Sequence, residues 1–555
     1  MTVRLLTNIG RLWTGNDVFS NAAILVHNDR IAWVGRAADL PQSVPGVVDD
    51  IVDVDHVENL GGALVTPGLI DAHTHPVYAG NRYAEMAMRS SGSTPSAITA
   101  AGGGIGSTVT VTRGTDPWTL CNGVRERLHD WLLSGTTTVE AKTGYHLTRD
   151  GELADVRLLR ELEKEPMMPR VHVTFMAAHV VPPEYFGRQR DYIEAVGSWC
   201  ADAAAAGADS VDVYCDEGHF TTEEARWVLG SGRNVGLLPR VHAGAYSRRG
   251  AVQLAAELGC ASADLLHHTT DEDIAILARY GVPAVVCPGT ALQRGSLPPV
   301  RRMLAQGVTV ALGSDHNPGH CGITSMSLVI SLAVAAFGMS VGDALRAATL
   351  GGATALGAPD RGVLAPGRLA DIVQWDADHE GAFAWAFGLK PRRVWRGGTP
   401  RPVTASSAPD GGSSPTRTRS TPGAFRVLTR LVSVSGVMRR GSCPVAAAPS
   451  APMCAPACSA WRSPFRPPRR RPSTRETPDA TDRGAGGSET RCPRPEPQPD
   501  GPDERARKND EAIRPYRRPR RREDIDPAAP GGHGTQHRRR SGDGGHRVRA
   551  GAGRG

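Results

Sequence analysis

Residues 1–402 read as an α/β chain, a (β/α)8 barrel of TIM type that carries a small discontinuous β domain built from both of its ends. Three observations predict this. The middle of the chain alternates apolar, strand-like runs with helical stretches, as a parallel sheet requires. About eight such runs are present, the number a closed barrel needs. Short β segments flank that middle on both sides.

Residues 1–64 supply the first part of the β domain. Ala23–Val26, Arg30–Val34 and Ile51–Val54 read as short strands, with Asn28-Asp29 as the turn between the first two. Residues 65–358 form the barrel. Its strand candidates are Leu64–His75, Thr136–Thr143, Arg170–His179, Ser210–Glu217, Val235–Gly244, Ala263–His268, Val282–Gly289 and Val308–Asn317. Helical patterns such as Asp191–Ala206 and Gly250–Leu258 lie between them. Residues 359–402 return to the β domain through Gly367–Trp375 and Arg393–Arg396.

Most of the barrel runs close on a residue able to do chemistry: His73 and His75, His179, Asp216 and Glu217, His242, His267 and His268, Asp315, with Tyr145 just past the second run. In a barrel, catalytic groups project from the C-terminal ends of the strands. His73 and His75 alternate on one strand, so both imidazoles face the same way and can grip one ion. His242 and Asp315 close two other runs. Three histidines and a carboxylate suit Zn²⁺ and are compatible with Fe³⁺, one ion per chain. The carboxylate can serve both as ligand and as the base that deprotonates the attacking water.

Several stretches, in this order, resemble the amidohydrolase superfamily and within it the imidazolonepropionase family: His73-Thr-His-Pro-Val-Tyr-Ala-Gly-Asn-Arg82, Gly102-Gly-Gly-Ile-Gly-Ser-Thr108, Lys142-Thr-Gly-Tyr145, Ala178-His-Val-Val-Pro-Pro-Glu184, Tyr214-Cys-Asp-Glu-Gly218 and Ser314-Asp-His-Asn-Pro-Gly319. The resemblance implies hydrolytic opening of 4-imidazolone-5-propanoate to N-formimidoyl-L-glutamate in histidine degradation. It places the metal on His73, His75, His242 and Asp315, and substrate contacts on Arg82, Tyr145 and His179. Asn317 and Gly319 match loop positions beside the metal aspartate, and His320 follows them. A guanidinium such as Arg82 suits the carboxylate arm of that substrate. His179 could donate to the ring carbonyl and stabilise the oxyanion of the tetrahedral intermediate.

Three positions depart from the family pattern. An acidic or amide side chain is usual three residues after the strand-five histidine, where this chain has Ala245. A histidine is usual directly after Asp264, where it has Leu265; His267, two residues on, is the expected catalytic substitute, with His268 beside it. A small hydroxyl residue is common where His320 stands. The departures leave two other readings open: a paralogue that opens another cyclic amide, imide or amidine, and a barrel that binds without catalysing.

The chain carries a net charge of +7, but residues 401–555 hold 31 Lys and Arg against 15 Asp and Glu, which leaves about −9 for the rest. Nucleic acid is therefore not an expected partner of the barrel. No apolar run has the length of a membrane span, no signal peptide is evident, and the body's cysteines show no paired spacing; the cytoplasm is the expected compartment. A homodimer is compatible with the barrel type. Residues 403–555 are rich in Arg, Pro, Gly and Ala, as in Phe465-Arg-Pro-Pro-Arg-Arg-Arg-Pro472, and are expected to be disordered. Their composition is what out-of-frame translation of GC-rich DNA gives, and no catalytic role is expected of them.

Overall fold

The computed structural model describes residues 1–401. The tail from residue 403, with its expected disorder and frameshift origin, lies outside the described residues. In chain order the strands are β1 (Val3–Trp13), β2 (Val18–His27), β3 (Arg30–Arg36), β4 (His56–Asn59), β5 (Leu64–Pro67), β6 (Leu69–Asp71), β7 (Thr136–Lys142), β8 (Arg170–Ala178), β9 (Ser210–Cys215), β10 (Leu238–Ala243), β11 (Ser262–Leu265), β12 (Ala284–Val286), β13 (Val310–Leu312), β14 (Ile372–Trp375), β15 (Pro391–Arg396) and β16 (Thr399–Arg401).

Strands β6 to β13 form one parallel sheet in sequential order. The sheet closes on itself past its ladders: Ala72 N donates to Leu312 O (3.2 Å), Asp315 N to His73 O (2.9 Å) and His75 N to His316 O (2.8 Å). The closing seam therefore runs through the stretches that carry His73, His75 and Asp315, bringing the two ends of a barrel of about 250 residues side by side. The second sheet has the order β16-β15-β14-β5-β1-β2-β3, with β4 on β1. It joins both ends of the described chain, as the flanking β segments predict. Trp395 is fully buried in its core, beside Leu6, Ile24 and Ile372.

The helices begin and end on ordinary signals. Thr221 and Glu224 form a capping box at Thr222–Asn234, Thr270 and Asp273 another at Asp271–Tyr280, and Gly207 closes Gln189–Ala206 in the left-handed conformation. Among the described residues, no helix is long and apolar enough to cross a membrane, and the six cysteines are unpaired.

Two expectations need correction. Leu64–His75 is not one strand: β5 lies in the outer sheet and β6 in the barrel, parted at Gly68. A Cβ at Gly68 would lie 2.8 Å from the Thr137 Cβ, so only glycine lets the chain cross between sheets there. Ile51–Val54 is not a strand either. Ile51–Asp53 forms a 3-10 turn, because the Asp50 side chain caps it by accepting from Val52 N at 3.1 Å.

Candidate metal centre

His73, His75 and His242 each present a ring nitrogen, and the three atoms lie within 4.8 Å of one another. Asp315 Oδ1 stands 3.8 Å from His73 Nε2 and 3.7 Å from His75 Nε2. These separations are too long for hydrogen bonds and suit donors arranged around a shared cation. His73 Nε2 is buried with no hydrogen-bond partner among the described residues, an orphan that a metal would satisfy. Burial, helped by the charge of Lys142, pushes His73 well below the ordinary imidazole range. Burial and the neighbouring His179 do the same to His75. Both are thus neutral, the form that ligates.

Carboxylates orient two of the imidazoles. His73 Nδ1 donates to Asp264 Oδ2 at 2.7 Å, and His242 Nδ1 donates to Asp212 Oδ2 at 3.1 Å. Each leaves its Nε2 for a metal. Both carboxylates are balanced by fully buried cations. Lys142 Nζ binds Asp212 (2.8 Å) and Glu140 (2.7 Å), and Arg240 Nη2 binds Asp264 (3.1 Å). Burial favours the neutral acid, yet Lys142 and His242 hold Asp212 well below the usual carboxylate range. Without these cations, two buried negative charges would stand unpaired behind the histidines.

Asp315 sits at φ +50°, a conformation few side chains adopt. Thr290 Oγ1 donates to its Oδ2 at 2.7 Å, and Asn317 Nδ2 donates to its Oδ1 at 3.0 Å. Asn317 Oδ1 accepts from the backbone N–H groups of Gly319 (2.9 Å) and His320 (2.8 Å). Asn317 therefore borders the cavity while holding the turn that carries the metal aspartate.

The cluster opens into a cavity of about 790 Å³. Tyr145 lines it, 5.2 Å from the His179 ring, and burial raises its phenol, which stays protonated. His179 lines it too, but not as an oxyanion donor. Its Nδ1 lies 3.0 Å from Gly144 O and so carries the proton of the neutral ring. Nε2 is then a lone-pair acceptor, and burial, with His242 nearby, pushes the ring's pKa down to about 3.

Arg82 lines the cavity with its fork already engaged: Nε and Nη2 donate to Glu85 at 2.8 Å each. Glu85 also accepts from Arg89 (2.9 Å) and Gly104 N (2.7 Å). Gly319 is not among the cavity-lining residues; it packs against the Arg82 guanidinium, and a Cβ there would lie 2.6 Å from the guanidinium carbon. Gly319→Ala should therefore displace Arg82 and lower kcat/KM about 10- to 100-fold in a chain that remains folded. Steady-state kinetics with circular dichroism checks this, and unchanged kinetics would contradict it. His320 lines the cavity and accepts from Arg89 Nη1 at 2.8 Å.

His267 is not where strand alternation predicts. The β11 ladder ends at Leu265, and Leu265 and Leu266 both turn to positive φ, so the alternation of faces stops before His267. Its Nδ1 donates to Ser296 O at 2.6 Å, and it is not among the cavity-lining residues. Asp216, another strand-end residue, clamps the next loop by accepting from Ala245 N, Tyr246 N and Ser247 N. Sequence reasoning missed Arg294, Tyr246 and Arg89 as cavity residues. Arg294 ends the helix Pro288–Arg294, where a basic residue is ordinary and gives no signal.

Comparison with known proteins shows the family and the fold. The Amidohydrolase family matches residues 240–403. The imidazolonepropionase of Mycolicibacterium smegmatis is 40% identical over 386 residues, 68% of this chain and 92% of its own length. That of Rhodococcus jostii is 39% identical over 404 residues, 71% and 94% of the two chains. That of Cupriavidus pinatubonensis is 38% identical over 382 residues, 67% and 88%. Among solved structures, a triazine hydrolase variant superposes with a TM-score of 0.58 at 20% identity, covering 73% of this chain and 96% of that one. A zinc-bound adenosine deaminase from Xanthomonas campestris gives 0.55 at 20% identity, covering 72% and 93%. At these identities the structures show a shared fold.

Proposed function

The chain belongs to the imidazolonepropionase family of amidohydrolases, and from that premise we propose how its barrel-mouth cavity opens 4-imidazolone-5-propanoate to N-formimidoyl-L-glutamate. The enzyme is a hydrolase of a cyclic, amide-like C–N bond that acts in histidine degradation. The observation that carries the residue assignment is the meeting of His73, His75, His242 and Asp315 from three separated parts of the barrel.

Those four side chains would hold one Zn²⁺ or Fe³⁺ per chain, the donor set being three imidazoles and one carboxylate. A bound ion would supply Lewis-acid activation of the ring carbonyl and of the attacking water. Asp315 takes the proton of that water. Burial raises its basicity, while Thr290 and Asn317 fix its two oxygens. His179 Nε2 accepts a hydrogen bond from a ring N–H and so turns the ring. Tyr145 donates to the substrate, and the Arg82–Glu85–Arg89 clamp forms the wall against which it lies.

The test is direct. Metal-loaded protein incubated with imidazolonepropionate should remove that compound's ultraviolet absorbance and release formimidoylglutamate. Ala245 and Leu265 favour a second reading, a paralogue selective for a different ring, because neither side chain can move a proton. Turnover of another cyclic amide, imide or amidine, with none of imidazolonepropionate, would establish that reading and overturn the first.

A further inference from the structure

Arg294 differs from the other guanidiniums of the cavity. Arg82 and Arg89 share the Glu85 carboxylate. Arg294 has no carboxylate within ion-pair distance among the described residues, and its Nε is buried without a hydrogen-bond partner. Its neighbours hold it in place without neutralising it. The guanidinium carbon lies 4.3 Å from the Tyr246 ring centroid, and Nη1 points to Ala245 O at 3.5 Å. Tyr246 lies nearly parallel to Tyr214, at 22°, which adds a second aromatic wall to the same side of the cavity. Ala245 offers only its carbonyl here and Leu265 only hydrocarbon. A half-buried cation lacking a counter-ion is costly to keep, and an arriving anion removes that cost. A guanidinium held over an aromatic face presents its donors with little freedom left to lose.

We infer that Arg294 is a specificity-determining residue, the cation that selects the acidic arm of the substrate, in preference to Arg82, whose Nε–Nη2 edge Glu85 already occupies. This rests on the proposed substrate's having a carboxylate arm, and it assigns that arm to the sector of the cavity built by the loops after β9, β10 and β12. Arg82 then shapes the part of the wall that follows β6, and Arg294 supplies the charge.

The test uses the full-length, metal-loaded protein and a probe that cannot be hydrolysed, 3-(imidazol-4-yl)propanoate, beside its neutral primary amide. Calorimetry should show that the protein prefers the acid. Arg294→Gln should weaken the acid about 10- to 100-fold and leave the amide within about twofold, erasing the preference. Arg294→Lys should retain part of it. With imidazolonepropionate as substrate, Arg294→Gln should raise KM and change kcat little. An unchanged acid-over-amide preference in folded Arg294→Gln would overturn the inference, as would no preference in the unsubstituted protein. Failure of the substrate assignment shows separately, as normal acid binding without turnover of imidazolonepropionate.

Discussion

His242→Ala should leave the purified chain without stoichiometric metal and reduce hydrolysis to background. The residue lies one short of the end of β10, the fifth strand of the barrel, and is one of the three histidines whose ring nitrogens meet there. Tyr214, 5.0 Å away ring to ring, is a poor replacement ligand, being a phenol whose burial opposes ionisation. A graded result is expected one step back. Asp212→Asn keeps the imidazole but loses the charge that holds its Nδ1–H, and should weaken metal affinity about 10- to 100-fold. Elemental analysis of both variants, with activity measured after metal reloading, checks the order. Full metal occupancy in His242→Ala would remove His242 from the ligand set.

Asp315→Asn should lower kcat by about 10²- to 10⁴-fold, the range over which a positioned proton acceptor contributes. The amide is nearly isosteric and can still accept from Thr290 Oγ1, so the turn at φ +50° should survive. What disappears is the ability to take a proton. The rate is to be expressed per bound metal ion, because the substitution also removes a charged donor. A variant that holds metal and retains more than a tenth of the original kcat would show that the proton goes elsewhere.

Much of this site is legible in the sequence because barrels put chemistry where apolar runs stop. The runs ending at His73, His242 and Asp315 are apolar enough to be read as strands, and each closes on an imidazole or a carboxylate. Less legible is what lies beneath. Lys142, Arg240, Asp212 and Asp264 look like charges within strands, and their pairing depends on four different strands of one barrel coming together. Adjacency of that kind has no local periodicity. His267 misleads because alternation holds only while the ladder lasts, and β11 leaves its ladder at Leu265. The one-strand reading of Leu64–His75 fails at Gly68 for a similar reason: one residue without a side chain moves the chain between sheets, and the apolar pattern on either side is blind to it. Arg294 was invisible because its role depends on the absence of a partner in space, and no sequence interval records that.

The most direct measurement is anomalous diffraction from crystals of the metal-loaded protein. One cation is expected at the barrel mouth, bonded to Nε2 of His73, His75 and His242 and to a carboxylate oxygen of Asp315. A cation bound elsewhere in the barrel, or one that leaves any of these four side chains outside its coordination sphere, would contradict it.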